Sequence, residues 1–128
     1  MGLFSKKKEQ NKIVRVLHYE GIDGFASDCP CTLEVKDGVL TLKRIQPETT
    51  VTLPLNRIKS FSAMEEKNFM LKYHGQAITT SKSKSINKYY LVVEYDKGML
   101  AFWGTAKEYG RFRDLQYNFN TSQTHIEL

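Results

Sequence analysis

Cysteine, histidine and tryptophan are scarce in this chain: two, three and one residues respectively. Two cysteines cannot build the disulfide scaffold that small secreted domains use to stabilise a thin core. No stretch approaches the ~18 uninterrupted apolar residues of a membrane span. The basic N-terminus is not followed by the apolar region of a secretory signal, so a cytoplasmic protein is expected. No Gly-x-Ser-x-Gly elbow occurs, and no glycine-rich loop ends in Lys-Ser or Lys-Thr, so neither a hydrolase nucleophile nor a phosphate cradle is signalled. No internal repeat is present. What remains is ordinary globular composition, 41% hydrophobic and 26% charged over 128 residues. That length makes one domain, which can bury roughly two-thirds of its unfolded surface.

The net charge of +5 suggests an anionic partner, but its placement weakens the suggestion. Residues 1–12 carry Lys6, Lys7, Lys8 and Lys12 against Glu9 alone, and so hold most of the excess. A nucleic-acid-binding domain shows its excess on the folded surface, so nucleic acid is not the expected partner. A second basic stretch holds Lys82, Lys84 and Lys88 among serines and threonines, the composition of a solvated loop. These seven lysines are the candidate contacts to an anionic surface.

Residues 1–12 lack periodicity and are expected to be a disordered basic tail. From Ile13 to Tyr19 the chain alternates, with Ile13, Leu17 and Tyr19 on one parity, which predicts a strand. Gly21 to Pro30 is loop chemistry. Cys31, Leu33 and Val35 alternate with polar residues up to Asp37-Gly38, the strongest hairpin signal of the chain. Val39–Ile45 is the return strand. Thr50–Leu55 is the next, and Pro54 places it at a strand end or sheet edge. Ile58 and Phe61 break the two-residue period, which predicts a bulge. Phe69, Leu71 and Tyr73 predict a short strand. Tyr89–Tyr95 and Met99–Trp103 form a hairpin around a three-residue loop, Asp96-Lys97-Gly98.

The period then becomes helical. Thr105-Ala106-Lys107-Glu108 is a capping box, and Tyr109, Phe112, Gln116 and Phe119 fall on one helix face. Residues 120–128 are expected to be a tail. The expected core holds Cys31, Leu33, Leu40, Leu42, Val51, Leu53, Ile58, Val93, Phe112 and Phe119. The fold class is therefore mainly β (α+β): seven to eight short antiparallel strands closed by one C-terminal amphipathic helix.

The runs Val39–Leu42, Val51–Ile58 and Lys88–Tyr95, followed by a C-terminal helix, resemble the bacterial form of the pleckstrin-homology-like superfold. His18–Gly21, Cys31–Val35 and the opening Met1–Lys8 are similar to an uncharacterised Gram-positive group with that fold. The resemblance covers residues 13–119 and implies a curved sheet or partly open barrel used as a binding platform. It does not extend to phosphoinositide binding. The loop Glu20–Pro30 holds Glu20, Asp23 and Asp28 and no basic residue, where phosphoinositide-binding members carry Lys and Arg.

Catalytic chemistry is thinly represented. Cys29-Pro30-Cys31 supplies two thiols, and a tetrahedral metal site needs His18, His74 or His125 to converge on them. Cys31 shares its strand face with Leu33 and Val35, where a free cysteine behaves as a small hydrophobe. Glu65 and Glu66 are neighbours on an extended segment and point apart. No catalytic residue, metal or cofactor is expected. The leading expectation is a non-enzymatic module that binds a protein or peptide, with a groove and at least one edge strand to which a peptide adds. The alternative is a membrane-surface or nucleic-acid binder working through the tail and residues 82–88. A homo-oligomer is compatible with either.

The tail generates a quantitative expectation. Leu3 and Phe4 adjoin Lys6, Lys7 and Lys8, so two apolar side chains can insert while lysines meet anionic headgroups. Lys6 occupies the place where a myristoylation signal wants Ser or Thr. At about 1 kcal/mol per lysine, and less the cost of ordering the tail, a net of roughly 4 kcal/mol is about millimolar affinity. Sedimentation with anionic vesicles should therefore show weak, salt-sensitive binding by the full chain and less by a chain lacking residues 1–11. Strong, salt-resistant binding of the monomer would contradict it.

Overall fold

The computed structural model describes residues 13–75 and 87–122. Among these, seven strands form one antiparallel sheet: β1 (Val14–Glu20), β2 (Cys29–Lys36), β3 (Val39–Arg44), β4 (Thr49–Pro54), β5 (Ile58–Glu65), β6 (Tyr89–Tyr95) and β7 (Gly98–Gly104). The spatial order is β4-β3-β2-β1-β7-β6-β5, so β4 and β5 are the two edges and the sheet is not closed. Two helices join it, α1 (Glu66–His74) and α2 (Ala106–Ser122). This is the expected mainly-β class, a curved antiparallel sheet with a C-terminal helix.

Local chemistry explains the turns. Asp37 and Gly38 both take positive φ, at 54° and 76°, as a two-residue hairpin between β2 and β3 requires. At the end of β1 the backbone comes so close to β7 that only glycine fits. A Cβ on Gly21 would lie 2.5 Å from the Met99 carbonyl oxygen and 2.8 Å from Leu100 Cα. The expected bulge lies between Ile58 and Ser60. The β6–β7 loop is shorter than expected. Tyr95 pairs with Gly98, so two residues separate the strands instead of three.

The inner face of the sheet carries the main core. Cys31, Leu33, Leu40, Leu42, Leu53, Ile58 and Val93 are buried there with Phe112 and Phe119 of α2, as expected, and Val51 is half-buried against them. Phe61 meets Phe119 edge-on at 5.1 Å between ring centroids. Glu108 starts α2 by accepting both the Thr105 amide and the Thr105 hydroxyl at 2.8 Å. Burial acts to raise this carboxyl, but the two bonds from Thr105 outweigh it and hold it below its ordinary value. The hydroxyl thus donates to Glu108, and the expected bond from a first-turn amide is replaced by a backbone bond from Glu108 to the Thr105 carbonyl. Helix α2 runs to Ser122, three residues past Phe119, and takes in the start of the expected tail.

Two expectations are corrected on the outer face. In β1 the inward parity is Val14, Val16 and His18, while Ile13 is exposed and Tyr19 faces the other side. Residues 69–73 are helical, not a strand. Helix α1 turns Phe69, Met70 and Tyr73 towards the outer face of the sheet and leaves Leu71 60% exposed. It ends at Gly75, in left-handed conformation, whose amide returns to Leu71. Phe69, Met70, Tyr90, Val92 and Ala101 make a second buried cluster, joined by Tyr19, Met64, Tyr73, Met99 and Trp103. The apolar spacing of residues 69–73 fits a strand and a helix equally over so few residues, and the outer face decides between them.

The two readings of this segment separate under mutation. Phe69→Ala should cost roughly 3–5 kcal/mol, whereas Leu71→Ala should stay within about 0.5 kcal/mol of the parent. Chemical denaturation measures both, and a large loss at Leu71 would restore the strand.

Candidate functional site

Of the seven lysines expected to meet an anionic surface, Lys6, Lys7, Lys8, Lys12, Lys82 and Lys84 lie outside the described residues. Lys88 is half-buried, with its ammonium 4.5 Å from the centroid of the Trp103 ring. It has an aromatic partner and is not a freely solvated charge.

The sheet edges are the surfaces that the fold leaves open to pairing, and they differ. Alternation along an antiparallel pair sends every second residue's amide and carbonyl away from the partner strand. On β5, the Glu66 amide bonds inward to the Lys88 carbonyl at 3.1 Å. Counting back from it, Phe61, Ala63 and Glu65 face outward. Gln116 of α2 covers the middle of this edge, accepting the Ala63 amide through Oε1 at 2.8 Å. On β4, the Leu55 amide bonds inward to the Gly38 carbonyl at 2.9 Å. Counting back, Thr50 and Thr52 face outward, and Pro54 follows with no amide to offer. No described residue pairs with Thr50 or Thr52 on that side. Both side chains are exposed, and so is Ile45 beyond the turn, at 53%. Segment Thr49–Leu55 carries no charge that would repel an incoming strand.

The loop between β1 and β2 is fastened down. His18 is buried and uses both ring nitrogens, Nδ1 donating to the Ala26 carbonyl at 3.1 Å and Nε2 accepting the Ile22 amide at 3.3 Å. These bonds specify the tautomer protonated at Nδ1. Arg44 lies 4.4 Å from the Phe25 ring centroid and donates to the carbonyls of Gly24 and Pro47 and to the Thr49 hydroxyl. Trp103 Nε1 donates to Asp28 Oδ1 at 2.7 Å. Arg44 is thus committed to structure, and the acidic loop presents no described cation to a phosphate.

Reactive chemistry is muted. Burial, then the neighbouring Cys29, pushes the Cys31 thiol up to about 12, so it stays protonated at neutral pH. The two sulfurs are 4.0 Å apart. Among the described residues no three of His, Cys, Asp and Glu converge as metal ligands. No described helix is long and apolar enough to cross a membrane. No protein-family model matches the chain. A search of curated proteins finds no match.

Sequence reasoning missed Gln116 as the residue that covers the middle of one edge. The available signal was a polar residue inside the apolar stripe of the C-terminal helix. A buried amide side chain needs a partner, and an edge amide is the nearest kind in this fold. Amide exchange should therefore be slow at Ala63, fast at Thr50 and Thr52, and accelerated at Ala63 by Gln116→Ala. Slow exchange at Thr50 and Thr52 in the monomer would show that the β4 edge is covered.

Proposed function

We propose that this chain is a non-enzymatic interaction module that takes an extended segment of a partner protein onto β4. The observation that carries the reading is the open edge at Thr50 and Thr52 beside an edge covered at Ala63. An incoming antiparallel segment would exchange amide and carbonyl bonds with both threonines and extend the sheet beyond β4. Each such bond contributes about 0.5–1.5 kcal/mol net, while ordering each partner residue costs about 1–2 kcal/mol. Backbone pairing alone is therefore insufficient. The partner must also bring apolar side chains, and Ile45 and Pro54 are the exposed apolar groups at the two ends of the strand. The protonated thiol of Cys31 and the structural use of His18 support a role without catalysis. The strand order and C-terminal helix support kinship with bacterial pleckstrin-homology-like domains, and cysteine scarcity fits a cytoplasmic setting.

Thr52→Pro tests the reading. It removes one outward amide that no described residue uses, a substitution that edge strands tolerate. Partners retained by the full chain in a pull-down from the native cell should be lost with Thr52→Pro at an unchanged melting temperature. Retention by Thr52→Pro, together with loss of binding in added salt, would favour the anionic-surface alternative instead.

A further inference from the structure

The outer face carries a feature independent of the sheet edge. The indole of Trp103, the only tryptophan, lies half-buried on this face. It is the cross-strand partner of Tyr90 on one side and Leu17 on the other. Its ring nitrogen is tied to Asp28 at 2.7 Å, which fixes the plane of the ring. The Lys88 ammonium lies 4.5 Å from the ring centroid, within the ≈6 Å range of cation–π attraction. Tyr90 is fully buried, stacked on Phe69 at 4.2 Å and met edge-on by Tyr19 at 5.3 Å. Its hydroxyl has no hydrogen-bond partner among the described residues. Buried hydroxyls are rarely left so, because an unmade bond there costs about 1–3 kcal/mol.

The surroundings are acidic. Burial, followed by the charges of Glu20, Asp28 and Glu66, raises the Tyr19 hydroxyl above its ordinary value. For Tyr90, burial is again the largest cause, and the same three carboxylates act with Tyr19 in the same direction. Glu20 holds His74 at 3.0 Å. Asp28 is bonded to a neutral indole. Among the described residues Lys88 is the cation seated on the indole, and Asp28 is the carboxylate bonded to its edge.

We infer that the Trp103 ring is a seat for a lysine side chain of a binding partner, filled in the free protein by Lys88. The ring face attracts the ammonium, and the Asp28 carboxylate bonded to the edge of the indole favours its charge. Lys88 is a built-in competitor: a partner lysine must displace it, so removing it should strengthen binding. This site and the β4 edge involve different residues, so either can fail alone.

The test titrates the full chain with a short peptide, acetyl-Gly-Lys-Gly-amide, against the same peptide acetylated on its lysine and against sodium chloride of equal ionic strength. Trp103 emission and the Trp103 Nε1–H resonance report directly on the seat. The lysine peptide should give a saturable change, in the millimolar range for the parent chain. In Lys88→Gln it should bind roughly tenfold tighter, equivalent to about 1.4 kcal/mol. Asp28→Asn, which keeps an oxygen for the indole N–H and removes the charge, should weaken binding, and Thr52→Pro should leave it unchanged. An equal response to the acetylated peptide or to salt would overturn the inference. So would binding that Lys88→Gln leaves unaltered, or a silent Trp103 signal in both the parent and Lys88→Gln.

Discussion

The rest of the structure depends on the β6–β7 hairpin being covered on both faces. Leu91, Val93, Leu100 and Phe102 point into the inner core beneath α2, while Tyr90, Val92 and Ala101 point into the outer cluster beneath α1. A strand packed on one face can leave its other face polar. A strand packed on both must be apolar throughout, and Tyr90 to Val93 is buried without a break. The hairpin also joins the two halves of the sheet, since β7 pairs with β1 and β6 with β5. Helix α1 has only nine residues and two buried side chains. It is too short to hold a helix by propensity, so its stability comes from the aromatic surface that β1, β6 and β7 present to it.

This double burial explains which parts of the fold were legible in the sequence. Strands with one wet face, β2 and β3, alternate cleanly, and their hairpin follows from Asp37-Gly38. The inner core was readable for the same reason, with Val51 the one member left half-buried because β4 is an edge. Capping by Glu108 was readable because it is local. The outer face was not readable. In β1 both parities are apolar, Val14 and Val16 on one side, Leu17 and Tyr19 on the other, so periodicity could not say which faced the main core. Phe69, Leu71 and Tyr73 alternate like a strand only while Met70 is ignored, and Met70 matters only once a second apolar face exists to receive it.

The candidate surfaces were legible to different degrees. An open edge was foreseeable from the hairpin order, and Pro54 marked β4 as terminal. That β5, the other edge, would be covered at its middle depended on one long-range contact, Gln116 to Ala63, separated by 53 positions in sequence. No local rule finds such a contact. Lys88 was singled out for its charge, and the fold gives it a different setting: a cation on an aromatic ring whose N–H is bonded to Asp28. The same double covering accounts for both surfaces. With the outer face of β5–β7 taken by α1 and the middle of the β5 edge taken by α2, β4 is the edge whose central amides meet no described residue, and Trp103 stays half-buried on the outer face.

Native-state amide exchange over a range of low denaturant concentrations tests the central claim, that the doubly covered hairpin organises the molecule. The amides of Leu91, Val93, Leu100 and Phe102 that are bonded within the sheet should be the slowest in the protein, exchanging only through global unfolding. Those of β3 and β4 should open at lower free energy. Exchange of the β6–β7 amides through local opening, with β2 and β3 outlasting them, would contradict the account.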